Sequence, residues 1–175
     1  MKVAGFAGYS GAGKTTLLEG VIRRLRQAGQ RVSVIKHAHC HFDIDKPGKD
    51  SYRHREAGAY EVLIASSRRM ALLREWGLPE EHNPELPQLV AELSAVDWVL
   101  VEGFKFAAIP KLEVWRAEAG HAALYPHDPF VVAVVTDEPA GLPAATGLPV
   151  LDINDPPSVA DFLLQHSRRF DYAAA

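Results

Sequence analysis

The first fifteen residues, MKVAGFAGYSGAGKT, constrain this chain more than any other stretch. Val3 to Ala7 is an uncharged apolar run that reads as a buried strand, and it passes directly into Gly8-Tyr-Ser-Gly-Ala-Gly-Lys-Thr15. Gly8, Gly13, Lys14 and Thr15 occupy every fixed position of G-x-x-x-x-G-K-[ST]. The spacing has a physical basis. Glycines let backbone N–H groups curl around a phosphate chain, and the helix that follows points its positive end at the same anion. Gly8, Ser10, Gly11, Ala12, Gly13, Lys14, Thr15 and Thr16 are therefore the expected nucleotide-binding residues, with Lys14 on the β and γ phosphates and the Thr15 hydroxyl on Mg²⁺. Leu17, Leu18, Val21, Ile22 and Leu25 recur at helical spacing and place the loop between a strand and a helix, as the motif requires.

The remaining chain alternates in the same manner. Arg31 to Lys36 reads as a second strand after the stop at Ala28-Gly29, giving a strand-helix-strand unit and hence parallel pairing. Residues 37 to 50 carry many ionisable groups without sustained period and read as a loop. Ser51 to Ala57 reads as a short helix capped by Ser51. Tyr60 to Ala65 and Met70 to Leu73 read as a hairpin, 76 to 87 as a loop, and Leu86, Leu89, Val90 and Leu93 as an amphipathic helix. Strands are expected at Asp97 to Glu102, Lys111 to Trp115, Phe130 to Val135 and Pro149 to Ile153, with a closing helix from Ser158 to His166. The predicted class is α/β: a mostly parallel sheet with antiparallel edge strands at 60–75 and around 111–126, covered by helices on both faces. A length of 175 residues suits one domain over 1–175.

Composition narrows the partners. A net charge of −3 argues against a general nucleic-acid or membrane-surface binder, which would carry a positive excess. One cysteine, Cys40, leaves no intramolecular disulfide, and with no basic-apolar leader the expected compartment is the cytoplasm.

Strand polarity selects the other site residues. Only groups at the C-terminal ends of parallel strands reach a ligand held by the first strand's loop. Glu102 ends its strand there and is the candidate acidic partner for Mg²⁺, whereas Asp97 lies at the wrong end. Gly103 offers an amide to the γ-phosphate, and Lys36 and Lys105 are either phosphate-neutralising cations or exposed tips. Asp50 is expected to cap a helix or to order Mg²⁺ and water, and Arg53 and Arg55 either grip a second anion or lie on a solvated face. Asp137 has two readings: a carboxylate accepting from guanine N1–H and N2–H₂, or a turn aspartate before Pro139. His37, His39, Cys40, His41, Asp43 and Asp45 form a ligand-rich run, but a structural zinc site usually draws on two separated pairs.

Several stretches together resemble the molybdopterin-guanine dinucleotide biosynthesis protein B (MobB) family of P-loop GTP-binding proteins. They are Gly8 to Leu17, Val34-Ile-Lys-His37, Phe42-Asp-Ile-Asp-Lys-Pro-Gly-Lys-Asp-Ser51, Arg53-His-Arg with Ala57-Gly-Ala59, and Val101-Glu-Gly-Phe-Lys105, within residues 3 to about 116. The resemblance implies a homodimeric GTP- and Mg²⁺-binding protein with the three-layer P-loop NTPase fold and weak hydrolysis. It implies an assisting role beside a MobA-type guanylyltransferase that attaches GMP to molybdopterin, with molybdopterin or its guanine dinucleotide as a further ligand. On this reading Lys14, Asp50 and Glu102 are the catalytic candidates, and Ser51 and Arg53 join the nucleotide-binding set. Two other classes use the same loop: a small-molecule kinase with Arg68, Arg69 and Arg74 in a lid, and a metal-insertion GTPase with the His37 to His41 run as carrier.

Overall fold

β1 (Lys2–Ala7) lies inside a six-stranded sheet because its apolar side chains have cover on both faces. The computed structural model describes residues 1–38, 42–76 and 84–173. Within them the chain gathers into two compact units, Met1–His37 with Glu85–Ala175, and Ala38–Pro84.

In the first unit the strands are β1, β2 (Val32–Lys36), β5 (Trp98–Glu102), β6 (Lys111–Val114), β7 (Val131–Thr136) and β8 (Val150–Asp152). They run in the order β2-β5-β1-β6-β7-β8, and every pairing is parallel. Alternation along each strand sorts side chains between two faces. Ala4, Phe6, Trp98, Leu100, Leu112 and Val114 pack against Leu17, Leu18, Val21 and Leu25 of α1 (Lys14–Gln27) and against Val159, Ala160 and Leu163 of α4 (Pro156–Gln165). Val3, Ile35, Val99 and Val101 face the other way, onto Leu86 and Val90 of α3 (Leu86–Ala91). This is the expected three-layer α/β arrangement.

Three details differ from expectation. The strand at 111–114 is central and parallel, paired with β1 on one side and β7 on the other. Its register shifts after Lys111, where Leu112 pairs with Ala133 and Val132 is the extra residue. α4 begins two residues early, at Pro156, because Asp155 caps it by accepting from Ser158 N–H at 3.3 Å, and proline is at home in the first turn.

The second unit holds α2 (Asp50–Glu56) and an antiparallel pair, β3 (Glu61–Ala65) with β4 (Met70–Arg74). The predicted hairpin is present, but it forms a two-stranded sheet of its own and not the expected antiparallel edge of the six-stranded main sheet. Its turn is tied by the Ser66 hydroxyl oxygen, which accepts from Arg68 N–H (3.2 Å) and Arg69 N–H (3.1 Å).

Candidate nucleotide site

β1 delivers the chain into a turn that only glycine-rich sequence can make. Gly8, Gly11 and Gly13 have φ of 145°, 81° and 91°, in the region that L side chains rarely adopt. At Gly8 a Cβ would also run into the Val114 carbonyl oxygen. Gly13 is the N-cap of α1, left-handed and without a side-chain cap. The amides of Lys14, Thr15 and Thr16 therefore open the helix with no intrahelical or capping partner, and the positive end of a 14-residue helix stands behind them. Ser10 and Gly11 are exposed at the rim, and Ala12 is buried in the core beneath.

Register brings the chemistry to this loop. Phe6 of β1 and Lys36 of β2 both pair with Glu102, so the C-terminal ends of three parallel strands lie side by side. The Thr15 hydroxyl donates to Glu102 Oε1 at 2.8 Å, and Lys36 Nζ lies 3.4 Å from the same oxygen. Lys14 Nζ donates to the Tyr9 carbonyl at 2.7 Å. Partial burial holds the Lys14 ammonium below its ordinary pKa, Glu102 pulls it back up, and the neighbouring Lys36 and Lys105 press it down again. Lys105 Nζ sits 4.1 Å from the Tyr9 ring centroid. Three ammoniums thus gather at the loop of a chain whose net charge is −3, with Glu102 against two of them, a local excess suited to a polyanion.

The oxygens suit a hard cation as well. Adjacent ligands on an octahedral Mg²⁺ lie about 2.9 Å apart when each bond is about 2.05 Å. The 2.8 Å between Thr15 Oγ1 and Glu102 Oε1 fits one edge of such a shell. Gly103 fits its expected role less directly, because its N–H points at Phe6 O (3.4 Å) and is engaged by the sheet.

On the other side of β1 lie Arg116 and His121, which the sequence did not single out, together with Asp137, which it did. Arg116, just past β6, sets its guanidinium against the loop: its Cζ and Nη2 would be 3.9 Å from a Cβ on Gly13. Arg116 Nε lies 3.2 Å from Oδ2 of Asp137, which follows β7. Tyr9 stacks on His121 with ring centroids 4.1 Å apart, and the His121 carbonyl accepts from Trp115 Nε1–H at 3.2 Å.

β6 also hides two charges. Lys111 and Glu113 are each 1% exposed, although their alternation with Leu112 and Val114 looks like a solvated face. Lys111 Nζ donates to Lys105 O (2.9 Å) and to Asp128 Oδ2 (2.8 Å). Glu113 accepts from the amides of Leu124 and Tyr125, both at 2.7 Å. Burial pushes the Glu113 carboxyl above the usual carboxylate range, and the two amides hold it partly back. These side chains fasten the segment between β6 and β7, which holds a 3-10 turn at Ala117–Ala119 but no α-helix. A charged residue at every second position of a short apolar strand was the available signal.

Asp50, Ser51 and Arg53 belong to the second unit. Neither Asp50 nor Ser51 caps α2. The N-cap is Lys49, Asp50 is the first helical residue, and the Ser51 hydroxyl donates to Asp45 Oδ1 at 2.9 Å, which commits it to the preceding loop. Asp50 instead places a negative charge in the first turn, favourable to the helix dipole. Arg53 is exposed. Arg55 does not wait for a second anion. It makes bonds of 2.9 and 3.1 Å to Asp43 and ion pairs with Asp45 (3.5 Å) and Glu75 (2.9 Å). The Arg55 guanidinium in turn holds the Asp43 carboxyl below its usual range. Arg74 spends its charge on Glu61 across the hairpin. His39, Cys40 and His41, half of the ligand-rich run, lie outside the described residues; the ring of His37 is tilted against Phe104, centroids 4.7 Å apart.

Comparison with known proteins agrees with this architecture. Residues 3–137 match the family model of MobB, molybdopterin guanine dinucleotide synthesis protein B. The molybdopterin-guanine dinucleotide biosynthesis adapter protein of Escherichia coli K12 is 43% identical over 166 residues, spanning 91% of this chain and 90% of that protein. Its Haemophilus influenzae counterpart is 43% identical over 91% of this chain and 85% of its own length. The crystal structure of a MobB homologue from Bacillus stearothermophilus superposes with a TM-score of 0.72 at 25% identity, over 96% of this chain and 99% of that one. With the phosphate-loop geometry in place and the family match running well past the middle of the sequence, the chain belongs to the MobB family.

Proposed function

We propose that the protein is an adapter in molybdopterin guanine dinucleotide biosynthesis that binds GTP with Mg²⁺ at the Gly8–Thr16 loop. The observation that carries this is the convergence of Lys14, Thr15, Glu102 and Lys36 on the uncapped start of α1. The loop amides and Lys14 hold the phosphates, Lys36 and Lys105 neutralise charge, and Thr15 and Glu102 supply metal-side oxygens. Mg²⁺ held by Thr15 and Glu102 would supply charge neutralisation to the phosphates. Hydrolysis is weak on this reading. Glu102, a carboxylate at the loop, is already engaged by the Thr15 hydroxyl and the Lys36 ammonium. The protein acts as a homodimer in the cytoplasm, beside a MobA-type guanylyltransferase. The names of its relatives support the pathway, and the exposed Leu63, Met70 and Leu72 of the hairpin support a partner surface.

The test is binding of a fluorescent GTP analogue to wild type and Lys14→Ala, with thermal melting of both. Lys14 has no core role, so the variant is expected to melt as wild type does. It should lose about 1.5–3 kcal/mol of charge-assisted contact, about ten- to a hundred-fold in affinity. Unchanged affinity in a folded variant removes the loop from the function.

A further inference from the structure

The sheet order divides the ground around the loop into two ends. β5 and β2 lie on one side of β1 and bring Glu102 and Lys36; β6, β7 and β8 lie on the other. If the loop holds GTP, the reading on which this inference rests, Lys14, Thr15 and Glu102 mark the outer phosphates and the metal. The sugar and base then extend over the ends of β6 to β8. Arg116 stands there, against the flank of Gly13, with Asp137 beside it.

We infer that Arg116, oriented by Asp137, reads the O6/N7 edge of guanine, so that the pair sets the preference for guanine over adenine. Arg116 Nε is buried and, among the described residues, has no hydrogen-bond partner; its 3.2 Å approach to Asp137 is an ion pair. That pairing occupies the Nε side of the guanidinium. Nη1 and Nη2 remain as donors for a ligand, Nη2 on the loop side 3.9 Å from where a Gly13 Cβ would stand, on a side chain that is 31% exposed. Guanine presents two acceptors to such a fork, O6 and N7. Adenine presents N7 beside an N6–H₂ donor, which the all-donor guanidinium cannot meet. Asp137, its charge turned toward Arg116, is a positioning residue that acts on the base through the arginine. That differs from a carboxylate reading N1–H and N2–H₂ directly, because the two mechanisms read opposite edges of the purine.

Competition against a fluorescent GTP analogue on the full chain separates them. Wild type should bind ITP, which lacks only the 2-amino group, as well as GTP, and should bind ATP and 7-deaza-GTP more weakly. Arg116→Ala should lower the GTP-to-ATP affinity ratio about ten- to a hundred-fold, by loss of GTP affinity with little change for ATP. Asp137→Asn should lower the ratio in the same direction, and Arg116→Lys should retain part of it. ITP falling to the level of ATP on wild type overturns the inference, because the 2-amino edge is then read. Equal weakening of GTP and ATP by Arg116→Ala also overturns it and makes Arg116 a phosphate ligand. The wild-type ITP and 7-deaza-GTP arms need no variant to fold. Absence of any triphosphate binding by wild type is a different failure, that of the loop assignment.

Discussion

Glu102 carries two neighbours on one oxygen, the Thr15 hydroxyl at 2.8 Å and Lys36 Nζ at 3.4 Å. A glutamine there keeps the shape and removes the charge. Glu102→Gln is therefore expected to raise the Mg²⁺ concentration needed at half-saturation about ten-fold or more, the order of one lost charge-assisted contact. Affinity for GTP without Mg²⁺ should hold or improve, since Lys14 and Lys36 are then no longer opposed by the Glu102 carboxylate. A Mg²⁺ titration at fixed fluorescent GTP analogue checks this; a curve matching wild type makes Glu102 a bystander. Glu102 was legible beforehand because strand direction alone decides which end of 97–102 meets the loop. Arg116 was not, because its partner Asp137 is remote in sequence and meets it only through the β6–β7 pairing.

α1 and α4 meet on one face of the sheet at Gly20, where a Cβ would lie 2.5 Å from Pro156 Cβ and 2.8 Å from its Cγ. In an isolated helix Gly→Ala gains about 0.5–1 kcal/mol. Here the proline ring is rigid and sits in the first turn of α4, so the helices must separate. Gly20→Ala is expected to destabilise the protein by about 1–2 kcal/mol net of the propensity gain, the usual overpacking cost. Urea unfolding of the variant measures it, and a stability equal to or above wild type refutes the close contact. Periodicity made α1 legible from Leu17, Leu18, Val21 and Leu25. The contact at Gly20 was not legible, because a glycine amid a helical pattern carries no mark of what faces it.

The hairpin of the second unit pairs Leu63 with Leu72 and Ala65 with Met70, one apolar face whose Leu63, Leu72 and Met70 stand exposed. A two-stranded ribbon is marginal by itself and gains from added cover. The proposed homodimer should therefore sediment at twice 19.2 kDa, and Leu63→Lys with Leu72→Lys should shift it toward 19.2 kDa. Wild type sedimenting as the monomer across the micromolar range refutes the homodimer. The charge pattern is consistent with small-anion binding: the negative total is interrupted at the loop by Lys14, Lys36 and Lys105.

The sequence by itself determined the strand-loop-helix at 1–27, the order of strands and helices, the parallel main sheet, the 60–74 hairpin and the placing of Glu102 beside Thr15. Each follows from local spacing, glycine conformation or strand direction, which are properties of neighbouring residues. Only the tertiary structure decided that the hairpin forms its own sheet, that 111–114 is a central strand, and that Lys111 and Glu113 are buried. It alone turned Arg55 onto Asp43 and Glu75 and Arg116 onto Asp137. Those outcomes depend on which charges meet across long separations in the chain. A buried ammonium or guanidinium is tolerated only where a partner arrives, and no local pattern announces the partner.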